Sequence, residues 1–209
     1  MMYTPMLGSI LRVMGRRGYR VYQDESGFDL NIVGVRSAEV QANKFDDSIT
    51  VFYRANGQWI FNLFQCTTDP GTYWLENPMS GLGTAILKEG QHRGVFKIGR
   101  HHGEYEALVQ RIPLTVIRDA NRDGVLDLDS GVEETGMFGI NIHRASAVRQ
   151  SIQVDKWSAG CQVFCDPYQF EFFMNLCRAG RDAFGNSFTY TLLNERDFVL
   201  GTHGKYQEI

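Results

Sequence analysis

The segment "SITVFYRANGQWIFNLFQC", residues 48–66, gives the clearest indication of the fold. Two arms rich in aromatic and β-branched residues are joined by Asn56-Gly57. Asn-Gly is the preferred pair for a tight two-residue turn, because both turn positions require positive φ. β-Branched and aromatic side chains suit the pleated surface of a strand. The segment therefore predicts a β-hairpin that turns at Asn56-Gly57.

Strand-like patterns continue on both sides of this hairpin. They show alternation of apolar and polar residues, or short apolar runs bounded by glycine turns. Strands are predicted in "FDLNIVGVRS", "LTVIRD", "MFGINIHRA" and "SFTYTLLN", with two or three more between residues 84 and 110.

Two helices are predicted beside the strands. The first is a short N-terminal helix in "TPMLGSILRVMG" that ends near Gly15 or Gly18. The second follows Cys161, with Asp166 as N-cap and Pro167 at the first helical position. Its apolar face is predicted to consist of Phe170, Phe173, Met174 and Cys177. Many antiparallel strands with one late helix indicate an α+β domain, or a sandwich with a helical cap.

Length and composition favour one globular domain. A chain of 209 residues with 43% hydrophobic residues can bury a sizeable core. No glycine- or proline-rich linker divides it, so we expect a single domain over residues 1–209. Within it, residues 1–65 could form an N-terminal subdomain and residues 66–209 the catalytic core. The irregular stretch "TTDPGTYWLENPMSGLG" is predicted to be a surface loop, with Tyr73 and Trp74 lining a groove.

Charge and hydropathy exclude several classes of partner. Lys and Arg number 21 against 24 Asp and Glu, and the net charge of −3 provides no footprint for nucleic acid or an anionic membrane. No stretch reaches the ~18–20 apolar residues of a membrane span. The N-terminal charges follow the apolar run instead of preceding it, so we do not expect a signal peptide. We expect synthesis in the cytosol. The four cysteines are expected to be free thiols.

His143 and Cys161 bring together the parts that thiol catalysis needs. A cysteine nucleophile requires an imidazole to take its proton and backbone N–H groups to hold the developing oxyanion. His143 ends the alternating run "MFGINIH", and Gly160 has no side chain to block approach to its own amide and that of Cys161. A free cysteine is also among the most buried residue types, and a histidine at a strand end is often only structural. The residue types alone leave both interpretations open.

The spacing of these residues resembles a known active-site signature. In L,D-transpeptidases of the YkuD type, a histidine precedes a Ser/Thr-x-Gly-Cys quartet, usually Ser-His-Gly-Cys. Here His143 is followed by Ser-Ala-Gly-Cys at positions 158–161, with the cysteine 18 positions after the histidine. The resemblance covers residues 136–165. It implies a mainly antiparallel β-sandwich-like fold with a helix following the catalytic cysteine.

The resemblance also implies roles for individual residues. Cys161 would be the nucleophile that attacks a peptidoglycan stem peptide and forms a thioester. His143 would be the base, with its other ring nitrogen held by a backbone carbonyl such as that of Arg144. The amides of Gly160 and Cys161 would hold the oxyanion, and Ser158 would brace the turn. The side chains expected to bind substrate are Arg144, Trp157, Tyr73, Trp74, Arg100 and His101. The acyl group would pass to an amine or to water, and no cofactor would be required.

Two departures from the family pattern concern substrate binding. Ala159 stands where most relatives have a second histidine, and Gln162-Val163 replaces a pair that usually includes Arg or Asn. An arginine fork normally matches a carboxylate, so the donor's carboxylate needs another partner here. The candidates are Arg100, Arg144 and Arg149.

"GMFGINIHRA" and "VDKWSAGCQVF" are also similar to proteins of bacteriophages and prophages that share the signature. An enzyme without a signal peptide would reach the cell wall after phage-type release through a holin, or as a virion component beside other virion proteins. Hydrolysis of stem peptides would then be favoured over cross-link synthesis. The alternatives are a non-catalytic peptidoglycan-binding or virion structural protein and, third, a zinc peptidase.

The segment "DANRDGVLDLDS" has the oxygen-bearing side chains of a calcium loop. Asp119, Asn121, Asp123 and Asp127 take places one, three, five and nine of an EF-hand-like pattern. Ser130 takes place twelve, where a bidentate Glu normally stands, and no helices are predicted around the segment. The same residues fit an Asx-rich turn between strands, so a calcium site and a plain turn both remain open.

His101-His102 with Glu104 and Glu106 could ligate a metal, but no zinc-ligand spacing such as HExxH is present. A polar hairpin edge is the favoured interpretation. As a further hypothesis, one of these histidines lies in the cleft and replaces the partner lost at Ala159.

Overall fold

The computed structural model describes residues 4–199 and shows an α+β protein dominated by strands. The helices are α1 (Leu7–Arg16), α2 (Thr72–Glu76), α3 (Pro167–Phe184) and α4 (Arg196–Val199). The strands are β1 (Asn31–Arg36), β2 (Asp47–Ala55), β3 (Gln58–Thr67), β4 (Thr84–Leu87), β5 (Gly90–His101), β6 (Tyr105–Gln110), β7 (Leu114–Asp119), β8 (Val132–Gly136), β9 (Ile142–Arg144), β10 (Gln162–Phe164) and β11 (Phe188–Asn194).

The predicted hairpin is confirmed as β2 and β3. Ala55 pairs with Gln58 directly across the turn, and the two strands stay in register back to Asp47 and Cys66. Asn56 and Gly57 have φ values of 51° and 77°. Both turn residues therefore occupy the left-handed region that Asn-Gly tolerates at low cost.

Eight strands close into a barrel in the order β1-β11-β5-β6-β9-β10-β3-β2. The expected α+β class is confirmed, but the sandwich is replaced by this closed barrel with a small additional sheet. Six neighbouring pairs are antiparallel, whereas β1 with β11 and β9 with β10 are parallel. Closure depends on the pairing of β1 with β11, which joins residues far apart in the chain. Local alternation does not distinguish a closed sheet from two packed sheets, because both bury one face of each strand.

The remaining strands form a three-stranded antiparallel sheet in the order β4-β7-β8. Its Leu87 and Val116 join the main hydrophobic core together with the barrel strands. Its Ile86 packs with Leu75 of α2 and with Leu126 in a smaller cluster. The sheet thus links the barrel to α2.

Both predicted helices are present. α1 ends at Arg16 and covers the outside of β1, where Ile10 and Met14 pack with Val33. β1 is consequently buried on both faces, although its sequence alternates. Asp166 caps α3 by accepting a hydrogen bond from the Tyr168 N–H at 2.8 Å. The α3 side chains buried in the core include the four predicted ones, Phe170, Phe173, Met174 and Cys177.

The stretch predicted as a surface loop, residues 67–83, is not wholly irregular, because it contains α2. Strands from residues 31–67 share the barrel with strands from residues 90–194, while the division at residue 65 stays a prediction. Among the helices of residues 4–199, none combines the length and the apolar character that crossing a membrane requires.

Candidate active site

The parallel pairing of β9 with β10 places Cys161 and His143 on the same face of the barrel wall. Val163 lies directly opposite His143 in this pair. Directly paired residues and residues two apart share a face, so Cys161 lies on the same face as both. Gln162 points the other way, where its side chain accepts a hydrogen bond from Tyr190 in the core.

Cys161 and His143 line one cavity of about 610 Å³. The strand pairing and the turn before β10 bring them together, although 18 positions separate them in the chain. Its walls come from α2, from the segment before β4, from the ends of β5 and β7, and from residues 138–141 and 156–159.

The turn before Cys161 is held tightly. The Ser158 hydroxyl donates to the Cys161 carbonyl at 2.8 Å and accepts from the Gly160 N–H at 3.2 Å. Gly160 has a φ of 118°, and a Cβ there would lie 2.1 Å from the carbonyl oxygen of Ala85. Ser158 thus braces the turn, and only glycine fits at position 160.

These contacts change the expected oxyanion site. The Gly160 N–H already donates to Ser158, so it is not a free donor as expected. Within residues 4–199 no hydrogen bond from the Cys161 N–H is formed. Of the two expected oxyanion donors, only the Cys161 N–H is left without a partner among the described residues.

The Cys161 thiol is half-buried and lies at the cavity wall. Its sulfur accepts from the Asn141 N–H at 3.4 Å and donates to the Gly139 carbonyl at 3.7 Å. Burial raises the pKa of this thiol to about 11. The resting side chain is consequently a neutral thiol at neutral pH.

His143 is only 4% exposed, and its hydrogen bonds define its tautomer. Its Nδ1 lies 2.8 Å from the Arg144 carbonyl, which is the contact that the family resemblance implies. Because a carbonyl only accepts, Nδ1 carries the proton and Nε2 is left as the acceptor. Burial, and next the charge of His101, lower the pKa of His143 to about 3. The imidazole is therefore neutral at neutral pH, with Nε2 unprotonated.

His101 stacks on His143, with ring centroids 4.0 Å apart and an interplanar angle of 18°. Its Nδ1 accepts from the Asn141 side-chain amide at 3.0 Å, and Asn141 Oδ1 accepts from the Gln110 N–H at 3.0 Å. Burial first, and then the charges of His102 and Arg144, lower the pKa of His101 to about 4. Two neutral rings thus form one wall of the cavity. The structure places His101 in the cleft, and its replacement of the missing family histidine stays a hypothesis.

Of the other predicted substrate residues, Trp74, Trp157 and His101 line the cavity, whereas Tyr73 stands behind Trp74 with ring centroids 5.0 Å apart. Arg144 lies over the Tyr105 ring at 3.8 Å and lines a neighbouring hollow of about 390 Å³.

The candidate carboxylate partners occupy different places from those expected. Arg100 is turned away, because its guanidinium donates to the Gly103 carbonyl at 2.8 Å within its own turn. Arg149 lines neither hollow. Instead Arg118 and Lys156 line the cavity, and no acidic side chain does. Arg118 pairs with Glu134 at 2.7 Å, whereas among residues 4–199 the Lys156 ammonium forms no ion pair and lies 4.2 Å from the centroid of the Tyr73 ring.

Sequence reasoning missed Arg118, Lys156 and Asn141. The strand containing Arg118 was predicted, but only the pairing of β7 with β4 brings this strand to the cavity. Asn141 lies in the quoted run "GINIH", yet its contact with His101 depends on the barrel order, which no local pattern reveals.

The zinc alternative gains no geometric support. Glu106 forms an ion pair with Arg178 at 3.0 Å. Among the described residues, no three His, Cys, Asp or Glu side chains are already arranged around one point as metal ligands.

The chain matches no protein-family model, no curated protein and no solved structure.

The raised pKa of Cys161 predicts slow alkylation at neutral pH. We expect the rate of reaction with iodoacetamide to rise about tenfold per pH unit between pH 6 and pH 10, because the thiolate is the reactive form and the pKa is about 11. Peptide mass mapping would separate Cys161 from the three buried cysteines, and glutathione would serve as the reference thiol. A rate that is already level below pH 8 would show a preformed thiolate–imidazolium pair and contradict this assignment.

Proposed function

We propose that this protein is a cysteine-dependent acyltransferase or peptidase of the L,D-transpeptidase type, which acts on peptidoglycan stem peptides through a thioester. The observation that carries the proposal is the placement of the Cys161 thiol and the neutral, oriented His143 imidazole on one wall of one cavity. A thiol and a base with a third group orienting the base form the usual arrangement of covalent acyl transfer.

The first half-reaction begins with a neutral pair. As the donor carbonyl approaches, the S–H turns away from Gly139 and gives its proton to His143 Nε2. The sulfur attacks the carbonyl carbon, and the oxyanion receives a hydrogen bond from the Cys161 N–H. The C–N bond then breaks, the leaving amine takes the proton from His143, and the thioester remains on Cys161.

The second half-reaction repeats the proton transfers in reverse. His143 takes a proton from water or from an acceptor amine, which attacks the thioester carbon. Collapse of the second intermediate breaks the C–S bond, and the thiol regains its proton from His143. When water is the acceptor, a carboxylic acid is released. When an amine is the acceptor, a new amide is released.

The walls of the cavity suit a peptide that bears a carboxylate. Lys156 supplies positive charge, while Trp74 and Trp157 supply apolar surface. A stem peptide offers both a free carboxylate and aliphatic side chains. The similarity to phage proteins favours water as the acceptor, in a wall hydrolase that acts after phage-type release or as a virion component.

One observation favours the second candidate, a wall-binding or virion structural protein without turnover. The sulfur is held by Asn141 and Gly139, and burial raises the pKa of the thiol. A thiol that never ionises would leave the cavity as a peptide-binding site only.

Mass spectrometry of the intact protein after incubation with purified muropeptides tests the proposal. We expect a mass increase equal to the acyl part of the donor, located on Cys161 by peptide mapping and absent after prior alkylation of that residue. Cys165→Ala is the matched control, because Cys165 lies four residues away and is buried. An adduct on any other residue, or none under conditions where muropeptides are consumed, would overturn the thioester mechanism.

A further inference from the structure

The loop between β7 and β8 contains oxygen-bearing side chains that the proposed function does not use. We propose that this loop, residues 119–130, binds one calcium ion. The ligands would be oxygen atoms of its side chains and one backbone carbonyl, from Asp119, Asn121, Asp123, Val125 and Asp127.

The order of these residues fits the oxygen ligands of a calcium loop. Carboxylate or amide groups stand at places one, three, five and nine, and place seven contributes its carbonyl. Gly124 at place six has a φ of 75°, as the sharp turn of such a loop requires. This pattern alone would suit an Asx-rich turn equally well.

One carboxylate oxygen of the loop is buried and unsatisfied, which the pattern of residues alone would not reveal. Asp119 is only 1% exposed, and its Oδ1 is buried without a hydrogen-bond partner. The carboxyl group points into the loop, because its Oδ2 accepts the Asp127 N–H across the loop at 3.0 Å. A buried carboxylate oxygen without a partner carries a desolvation cost that a bound cation would offset.

The side-chain amide of Asn121 closes the loop. Asn121 Nδ2 donates to Asp123 Oδ2 at 3.0 Å and to Asp127 Oδ2 at 2.9 Å. These N–H groups lie between the two carboxylates, which explains why three acidic side chains do not yet surround one point. Asn121 Oδ1 accepts the Asp123 N–H at 3.2 Å. Rotation of the amide would exchange this hydrogen bond for a contact of Oδ1 with a cation, on which the two carboxylates would then converge.

Charge favours the same conclusion. Within residues 4–199, no ion pair is formed by the carboxylates of Asp119, Asp123 and Asp127. An all-oxygen ligand set on a loop suits calcium better than magnesium, which requires strict octahedral geometry and keeps its water.

A calcium ion here would act on the wall of the cavity. Gly124 packs against Thr72 of α2, so closely that an added Cβ would lie 3.3 Å from the Thr72 methyl carbon. Leu126 packs against Leu75 of the same helix. α2 also carries Trp74, which lines the cavity, so ordering the loop would fix this wall.

Calcium titration of the chelator-treated full chain tests the proposal without any assay of turnover. By calorimetry we expect one site per chain with a Kd of about 10⁻⁵ to 10⁻³ M, because place twelve lacks the bidentate Glu. Saturating calcium should raise the melting temperature by about 5 °C, and magnesium at the same concentration by less.

The variants Asp123→Asn and Asp127→Asn should each weaken calcium binding at least about tenfold. Asp129→Asn is the matched control in the same loop, since the Asp129 side chain is 92% exposed and lies at none of the ligand positions. Its Kd should stay within about twofold of the parent value. The proposal is overturned if the parent shows neither heat nor a melting shift up to about 10 mM calcium, or if Asp123→Asn and Asp127→Asn bind as the parent does. Because binding is measured directly, a failure here leaves the thioester proposal intact.

Discussion

Replacement of Cys161 by alanine is expected to lower the rate of muropeptide turnover by a factor of about 10⁴ or more. Among residues lining the cavity, Cys161 is the only thiol, and no neighbouring side chain can form the thioester in its place. Turnover would be measured by chromatography of muropeptides, with folding checked by the melting temperature. The fold should persist, since the residue is half-buried and its side chain becomes smaller.

The control for this variant is Cys165→Ala, which removes a buried thiol from the same segment without touching the cavity. It should keep turnover within a few-fold of the parent rate. Full turnover in Cys161→Ala would rule out the covalent enzyme. A parent protein that binds wall peptides but never turns them over would instead support the binding protein.

Replacement of Gly160 by alanine is expected to destabilise the protein by about 3 kcal/mol or more. The added methyl group would lie 2.1 Å from the Ala85 carbonyl oxygen, and the backbone φ of 118° is unfavourable for any residue with a Cβ. Because β4 cannot move without disturbing β7, the turn before Cys161 must shift instead. The free energy of unfolding in urea measures the effect.

Gly185→Ala separates backbone strain from the clash. Gly185 has a φ of 92°, but nothing lies within 4 Å of an added Cβ. The Gly185→Ala variant should lose only the backbone contribution to the free energy of unfolding, about 1 kcal/mol. Equal losses in the two variants would mean that the contact with Ala85 is unimportant.

The sequence correctly predicted the elements that are determined by residues close together in the chain. The Asn56-Gly57 hairpin, the cap of α3 at Asp166 and the buried face of α3 each depend on residues a few positions apart. The barrel was missed, because its closure joins β1 to β11 and its parallel pair joins β9 to β10, whose paired residues lie 20 positions apart. Such pairings leave no trace in local periodicity.

For the candidate site, too, some features were predicted from the sequence and others were not. The presence of Cys161 and His143 in one cavity was expected from the signature, as was the contact of His143 with the Arg144 carbonyl. The engagement of the Gly160 N–H by Ser158 was not, because residue types do not reveal which donors are already satisfied. Arg100 was misplaced for a similar reason, since its own turn offers it carbonyl oxygens.

The seam between β1 and β11 has a consequence for synthesis on the ribosome. Residues 31–36 emerge from the ribosome well before their partners at residues 190–194 have been synthesised. Until then the nascent chain carries an open, apolar strand edge, which invites mispairing with other chains. Closure of the barrel must therefore wait until β11 has emerged. The high sequence separation of this pairing predicts slow folding, during which chaperones would protect the open strand edge.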